Sequence, residues 1–133
     1  LTAANSGATC IFDTAATSTF VLPAPELGMR FTFIQTIINT ADHVIQAATN
    51  DHGFLGGVTM TNTTADQTDT FSTATDGNND FITLNATTTG GAAAGSRIEV
   101  VAILDSSAAK CWAVTGNLII SGAGATPFGD AQI

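Results

Sequence analysis

The chain predicts an all-β fold: a single-domain β-sandwich, jelly-roll-like, with about eight to ten short strands. Three observations carry that expectation. Apolar residues come in brief runs, several alternating with polar ones at the period of two that a strand shows when one side meets a core. Clusters of Gly, Asn, Asp and Ser break these runs at short intervals, as turns do. Thr, Val, Ile and Phe abound, whereas Lys and Arg together number 3, which leaves little material for amphipathic helices. At 133 residues the chain suits one core, burying roughly two thirds of its unfolded surface.

Taken in order, Ala8 to Asp13 and Thr17 to Leu22 read as two short strands joined as a hairpin through Thr14-Ala15-Ala16. Pro23 and Pro25 then stop ladder pairing, because proline has no amide donor, and Gly28 permits the turn into a third strand, Met29 to Ile38. Within it Met29, Phe31 and Phe33 share one face, so Phe31 and Phe33 are expected in the core. His43 to Ala48 and Phe54 to Met60 follow as strands, each after a polar turn. From Thr61 to Asn79 the chain is polar with Phe71 as its one large apolar anchor, and an exposed loop or a weak strand at Thr68 to Ala74 is expected. Phe81 to Leu84 resumes a strand, and the Thr, Gly and Ala stretch to Ser96 reads as a tight or mobile loop. Ile98 to Leu104 is nearly all apolar, like a strand buried on both faces, and forms a central hairpin with Lys110 to Thr115 through Asp105-Ser106-Ser107. Leu118 to Ile120 is the last strand. Residues 1–121 are thus expected to form the sandwich, and 122–133 a tail outside the core that docks on a neighbouring subunit. No repeat of fixed period suggests a propeller or solenoid.

The formal net charge is −8, with Arg30, Arg97 and Lys110 the sole basic residues besides two His, so the cationic surface that phosphate backbones require is missing and nucleic acid is not an expected partner. No run of about eighteen apolar residues or cationic leader is present, so a soluble chain without a membrane partner is expected. A surface built on Thr, Asn and Ser rather than on mixed charge suits a protein that lives in an assembly.

Three segments carry a resemblance to a known group: Leu1-Thr2 with Ser6-Gly7, Leu22-Pro23 with Pro25 through Arg30-Phe31 and Phe33, and the late strands from Gly95 to Asn117. The last contains Gly95-Ser96-Arg97-Ile98-Glu99-Val100, then Asp105-Ser106-Ser107, then Cys111-Trp112-Ala113-Val114-Thr115-Gly116. Together they resemble small β-structured virion proteins of tailed bacteriophages, of the capsid decoration (cement) or head-fibre type. The resemblance implies a protein made in many copies and commonly trimeric, assembled in the host cytoplasm and placed on the virion. The expectation is a cement protein that binds the outer capsid surface and stabilises the head. Its partners would be the major capsid protein and further copies of itself. The alternative is a receptor- or glycan-binding module of a head or tail fibre that uses the polar loops Thr61 to Asn79 and Thr87 to Ser96. Leu1, Thr2, Phe128 and Ile133, in the two terminal segments, are the candidate interface residues, Phe128 because an exposed aromatic in a tail gains order at an interface.

Chemistry-bearing patterns are sparse. Asp76-x-Asn78-x-Asp80 has the first oxygen positions of a calcium loop, but Phe81 stands where the sharp-turn Gly belongs, so a β-turn is the preferred reading. Asp42-His43, Asp51-His52, Cys10 and Cys111 lack the close spacing of a zinc site, and no metal or other cofactor is expected. Cys10 and Cys111 are open to two readings, a disulfide between neighbouring strands or buried free thiols. The Gly-x-Ser-x-Gly elbow is missing, and Glu26 and Glu99 come without sugar-stacking aromatics, so no enzyme is expected. Trp112 is assigned to core packing beside the late hairpin.

Overall fold

A computed structural model describes residues 1–75 and 78–130. Ten strands run in chain order: β1 (Thr9–Phe12), β2 (Ser18–Val21), β3 (Arg30–Gln35), β4 (His43–Gln46), β5 (Phe54–Asn62), β6 (Thr68–Ser72), β7 (Phe81–Leu84), β8 (Arg97–Leu104), β9 (Lys110–Ile120) and β10 (Phe128–Gly129). They form a six-stranded sheet ordered β1-β3-β8-β9-β5-β6 and a four-stranded sheet ordered β10-β7-β4-β2. Among the described residues the helical segments are two single 3-10 turns, Ala3–Asn5 and Asn50–His52. The fold is an all-β sandwich, as the alternation and the turn clusters predict.

The core lies between the sheets. Phe12, Phe31, Phe33, Phe54, Ile98, Val100, Trp112, Val114 and Leu118 enter from the large sheet, and Ile45, Ile82 and Leu84 from the small one. Fully burying one such side chain is worth about 1.5–3 kcal/mol, so the period-two faces of these strands dominate the drive to fold. The predicted core positions Phe31 and Phe33 are both at most 1% exposed, and Trp112 is fully buried.

Strand pairing departs from the sequence reading in a consistent way. β1 and β2 make no hairpin: β1 runs parallel to β3 in one sheet and β2 parallel to β4 in the other. The reason is the apolar face of each strand. Phe12 and Phe20 approach from opposite sheets and meet edge to face at 5.1 Å, so the 13–17 connection crosses the sandwich rather than turning within a sheet. β5 is likewise parallel to β9, while β8 and β9 form the expected antiparallel central hairpin.

β9 continues through Gly116-Asn117, where a break had been expected, and absorbs Leu118 to Ile120 into one 11-residue strand. A Cβ on Gly116 would collide with the Arg97 carbonyl, so glycine here admits the close approach of β8 rather than ending the strand. The third strand stops at Gln35, which leaves Ile37 and Ile38 exposed in the following loop. β8 is buried on its inner face and only partly covered on its outer one, not buried on both.

The polar region from Thr61 is more ordered than a loop, since β5 extends to Asn62 and pairs with β6 from Thr68↔Thr61 to Ser72↔Gly57. The Thr and Gly stretch 85–96 is a tight loop. Asn85 Oδ1 accepts backbone N–H groups from Thr87, Thr88 and Thr89 at 3.0, 2.6 and 3.0 Å, and the buried Ser96 hydroxyl donates to the Gly90 carbonyl at 2.5 Å while accepting Ile119 N–H at 2.8 Å. The segment 122–130 is no free tail. Gly129 pairs with Phe81 and Phe128 with Ile82, and the Thr83 N–H donates to the Pro127 carbonyl at 2.8 Å. Phe128 is 6% exposed and belongs to this chain's own core, because its apolar ring finds a berth at the open edge of the small sheet.

Candidate interaction surfaces

The first residues, Leu1 to Gly7, are fixed on the outside of the sandwich. The Leu1 ammonium donates to the Val21 carbonyl at 2.8 Å, Thr2 N–H and Oγ1–H both reach Asn5 Oδ1 at 2.9 Å, and Gly7 N–H donates to the Arg30 carbonyl at 2.7 Å. Leu1 and Thr2 therefore sit at a defined place beside the exposed Val21 while remaining open to solvent. Of the other two candidate interface residues, Phe128 is corrected to a core residue, and Ile133 lies outside the described residues.

Register places two flat outer faces on the sandwich. The outer face of the small sheet carries Val21, Val44, Gln46, Phe81 and Thr83, with a shallow depression of about 230 Å³ over the last four. The outer face of the large sheet mixes hydroxyls and amides with aliphatic and charged side chains. Thr9, Thr32, Glu99 and Thr115 line one row, and Ile11, Ile34, Arg97, Asn117, Thr59 and Thr70 the next. Asn117 Nδ2 ties two strands there by donating to Thr59 Oγ1 at 3.0 Å and Thr61 Oγ1 at 3.2 Å. Arg97 and Glu99 form a loose pair at 3.5 Å with both side chains largely in water, which is worth little to stability.

A cleft of about 290 Å³ opens at the lower end of this face between the 3-10 turn Asn50–His52 and the β8–β9 turn, lined by Asn50, Asp51, Asn78, Asp105, Lys110 and Cys111 among others. Asp105 Oδ1 is occupied by the turn, accepting N–H from Ser107 at 2.7 Å and Ala109 at 2.9 Å. Cys111 lies at the cleft floor with 5% exposure. Burial, and then the nearby Asp105 charge, push its thiol upward from 9.0, so the thiolate that a nucleophile needs is disfavoured.

The two cysteines are free. Cys10 is on edge strand β1 and Cys111 on β9, with β3 and β8 between them, a lateral separation of about 14 Å at normal strand spacing. That exceeds disulfide reach and settles the choice between the two readings. Burial likewise raises the Cys10 thiol, opposed by the amino-terminal charge.

The residue pairs weighed for metals are dispersed. His43 is fully buried, with Nδ1 2.8 Å from Gln35 Oε1 and Nε2 3.0 Å from the Ala16 carbonyl, and His52 Nδ1 faces Thr49 Oγ1 at 3.1 Å. Among the described residues no three His, Cys, Asp or Glu side chains gather. Asp76 of the calcium-like stretch lies outside the described residues. Glu26 pairs with Lys110 at 2.8 Å at the lower rim, while Glu99 sits about 16 Å further along β8, so the two carboxylates do not converge.

The network around His43 was not legible as a site, because its members Gln35, Ala16 and Phe12 are scattered along the sequence. Comparison with known proteins shows no matching family model, and no curated protein or solved structure matches the chain. The class that the fold and surfaces define is an acidic β-sandwich with two open sheet faces.

Proposed function

We propose that this chain is a capsid decoration protein of a tailed phage that binds the outer surface of the head and stabilises it, acting as a trimer. The sequence resemblance suggests the reading, and one observation carries it furthest: Leu1 and Thr2, in the first segment of the resemblance, are held at a fixed place yet left exposed beside Val21. A preordered edge binds with little loss of chain entropy. The mechanism is energetic. A protein that binds the assembled lattice and not its dissociated subunits shifts the equilibrium toward the intact shell, and modest contacts repeated over many copies add up. The major capsid protein and sister copies are the partners in this reading.

A second reading, a receptor- or glycan-binding module of a fibre, is favoured by the cleft beside Asn50, Asp51 and Asn78, whose amide and carboxylate groups suit sugar hydroxyls. Cryo-electron microscopy of virions from the phage that encodes the chain separates the two. Density repeated over the shell, with the edge carrying Leu1 and Thr2 against the capsid, is the expected result. A few copies confined to an appendage would overturn it in favour of the fibre module.

A further inference from the structure

We infer that the outer face of the large sheet is a docking surface for a second copy of this chain, and that it receives the loop end carrying Ile37 and Ile38. The argument rests on the self-association in the reading above and begins with where the charges lie. Of the three Lys and Arg residues in a chain of net charge −8, Arg30 and Arg97 both project from this face. Among the described residues Glu99 is the one carboxylate on the strands of this face, since Asp69 of β6 stands opposite the inward-facing Met60 and the others lie in loops, Asp51 and Asp105 at the cleft that bounds its lower end. The strands above that cleft are thus cationic by about one charge on a body that is otherwise strongly anionic. Two faces of this kind gain nothing by meeting, whereas the face and an acidic end of another copy attract.

The end that fits is formed by the loops before β2 and β4. Thr36 N–H donates to the Phe12 carbonyl at 3.1 Å and Thr40 N–H to the Ala15 carbonyl at 2.9 Å, so residues 36–40 are clamped along 12–15. The clamp holds Ile37 and Ile38 outward at 38% and 58% exposure, with the exposed Asp13 and Asp42 on the same two loops. An apolar centre flanked by carboxylates is the chemical complement of a face whose hydroxyls and half-covered Val101 and Ala113 lie beside two arginines.

Size agrees as well. Six strands at about 4.8 Å spacing and about 20 Å of length make a face of about 600 Å², close to the about 800 Å² that each partner gives a standard interface. Because the two surfaces differ and neither lies on the other, the contact is heterologous, and repetition with suitable rotation closes a ring.

Sedimentation velocity of the purified chain tests this with two variants, Arg30→Glu with Arg97→Glu on the face and Ile37→Ser with Ile38→Ser on the loop end. All four side chains are exposed, and melting curves verify the fold; should the charge reversal not fold, Arg30→Gln with Arg97→Gln replaces it. The expected result is self-association of the parent chain that weakens in about 1 M salt, with each variant weaker by at least about tenfold. An equimolar mixture of the two variants should regain association but stop at a heterodimer, because it retains one working face and one working end. A parent chain that stays monomeric, a variant that associates normally, or a mixture no better than its components would overturn the inference. Monomeric behaviour alone would leave capsid binding to be decided by the virion images.

Discussion

The imidazole of His43 lies flat on the ring of Phe12, with centroids 4.6 Å apart and planes 8° from parallel. The two residues come from different sheets, β4 and β1, so this stack bridges the sandwich near its edge. Its polar atoms hold the same corner: one ring nitrogen faces Gln35 at the end of β3, the other the Ala16 carbonyl in the crossing connection, and Gln35 Nε2 donates in turn to the Ile37 carbonyl. A single side chain thereby fixes three segments and supports the loop end that presents Ile38.

Replacing His43 by Leu keeps much of the apolar contact with Phe12 but removes the ring N–H that serves Gln35 Oε1 or the Ala16 carbonyl, according to the tautomer, and leaves that oxygen without its donor. The expected cost is about 1–3 kcal/mol for groups left buried without hydrogen bonds, read as a lower urea midpoint with an unchanged slope.

Ser96→Ala removes a hydroxyl that serves both Gly90 and Ile119. Stability should fall by about 1–3 kcal/mol, and amide exchange should quicken at Ile119 more than at Val100, since the loss is local to the 85–96 loop and the end of β9. Uniform acceleration across both strands would contradict this assignment.

Phe128→Ala tests the corrected position of the carboxyl-terminal segment. A ring buried in the chain's own core should cost about 3–5 kcal/mol on truncation to Ala, measurable by denaturation of the isolated protein. A neutral effect would mean that Phe128 is docked elsewhere.

Cys10 and Cys111 should both remain thiols, with mass and mobility unchanged by reductant, and should react with a thiol reagent far faster in denaturant than in the native state. Because burial raises both thiols above 9.0, the native state holds these protons more tightly than the unfolded chain. Their contribution is therefore complete below about pH 9 and is lost as pH rises through the folded values. Denaturation midpoints should decline above about pH 9, and Cys10→Ala with Cys111→Ala should flatten that decline.

Much of the architecture was legible in the residues themselves. Phe31 and Phe33 alternate with Arg30 and Thr32, and that period of two specifies a half-buried strand whatever its partner. The β8–β9 hairpin was legible because Asp105-Ser106-Ser107 turns the chain over a short distance. The candidate surface was readable only in part: Leu1 and Thr2, named for their place in the first segment, lie exposed, but nothing near Phe128 announces that the open edge of the small sheet will take it in.

What the sequence by itself determined is the strand content, the inward faces and the scarcity of charge, since each depends on neighbours one or two residues away. Tertiary structure alone decided that β1 and β2 part into different sheets, that three ladders run parallel, that the cysteines stay apart and that Arg30 and Arg97 share one face. Pairing partners are chosen by the best joint burial of faces distant in the chain, as with Phe12 meeting Phe20 and His43, and no local pattern encodes that choice.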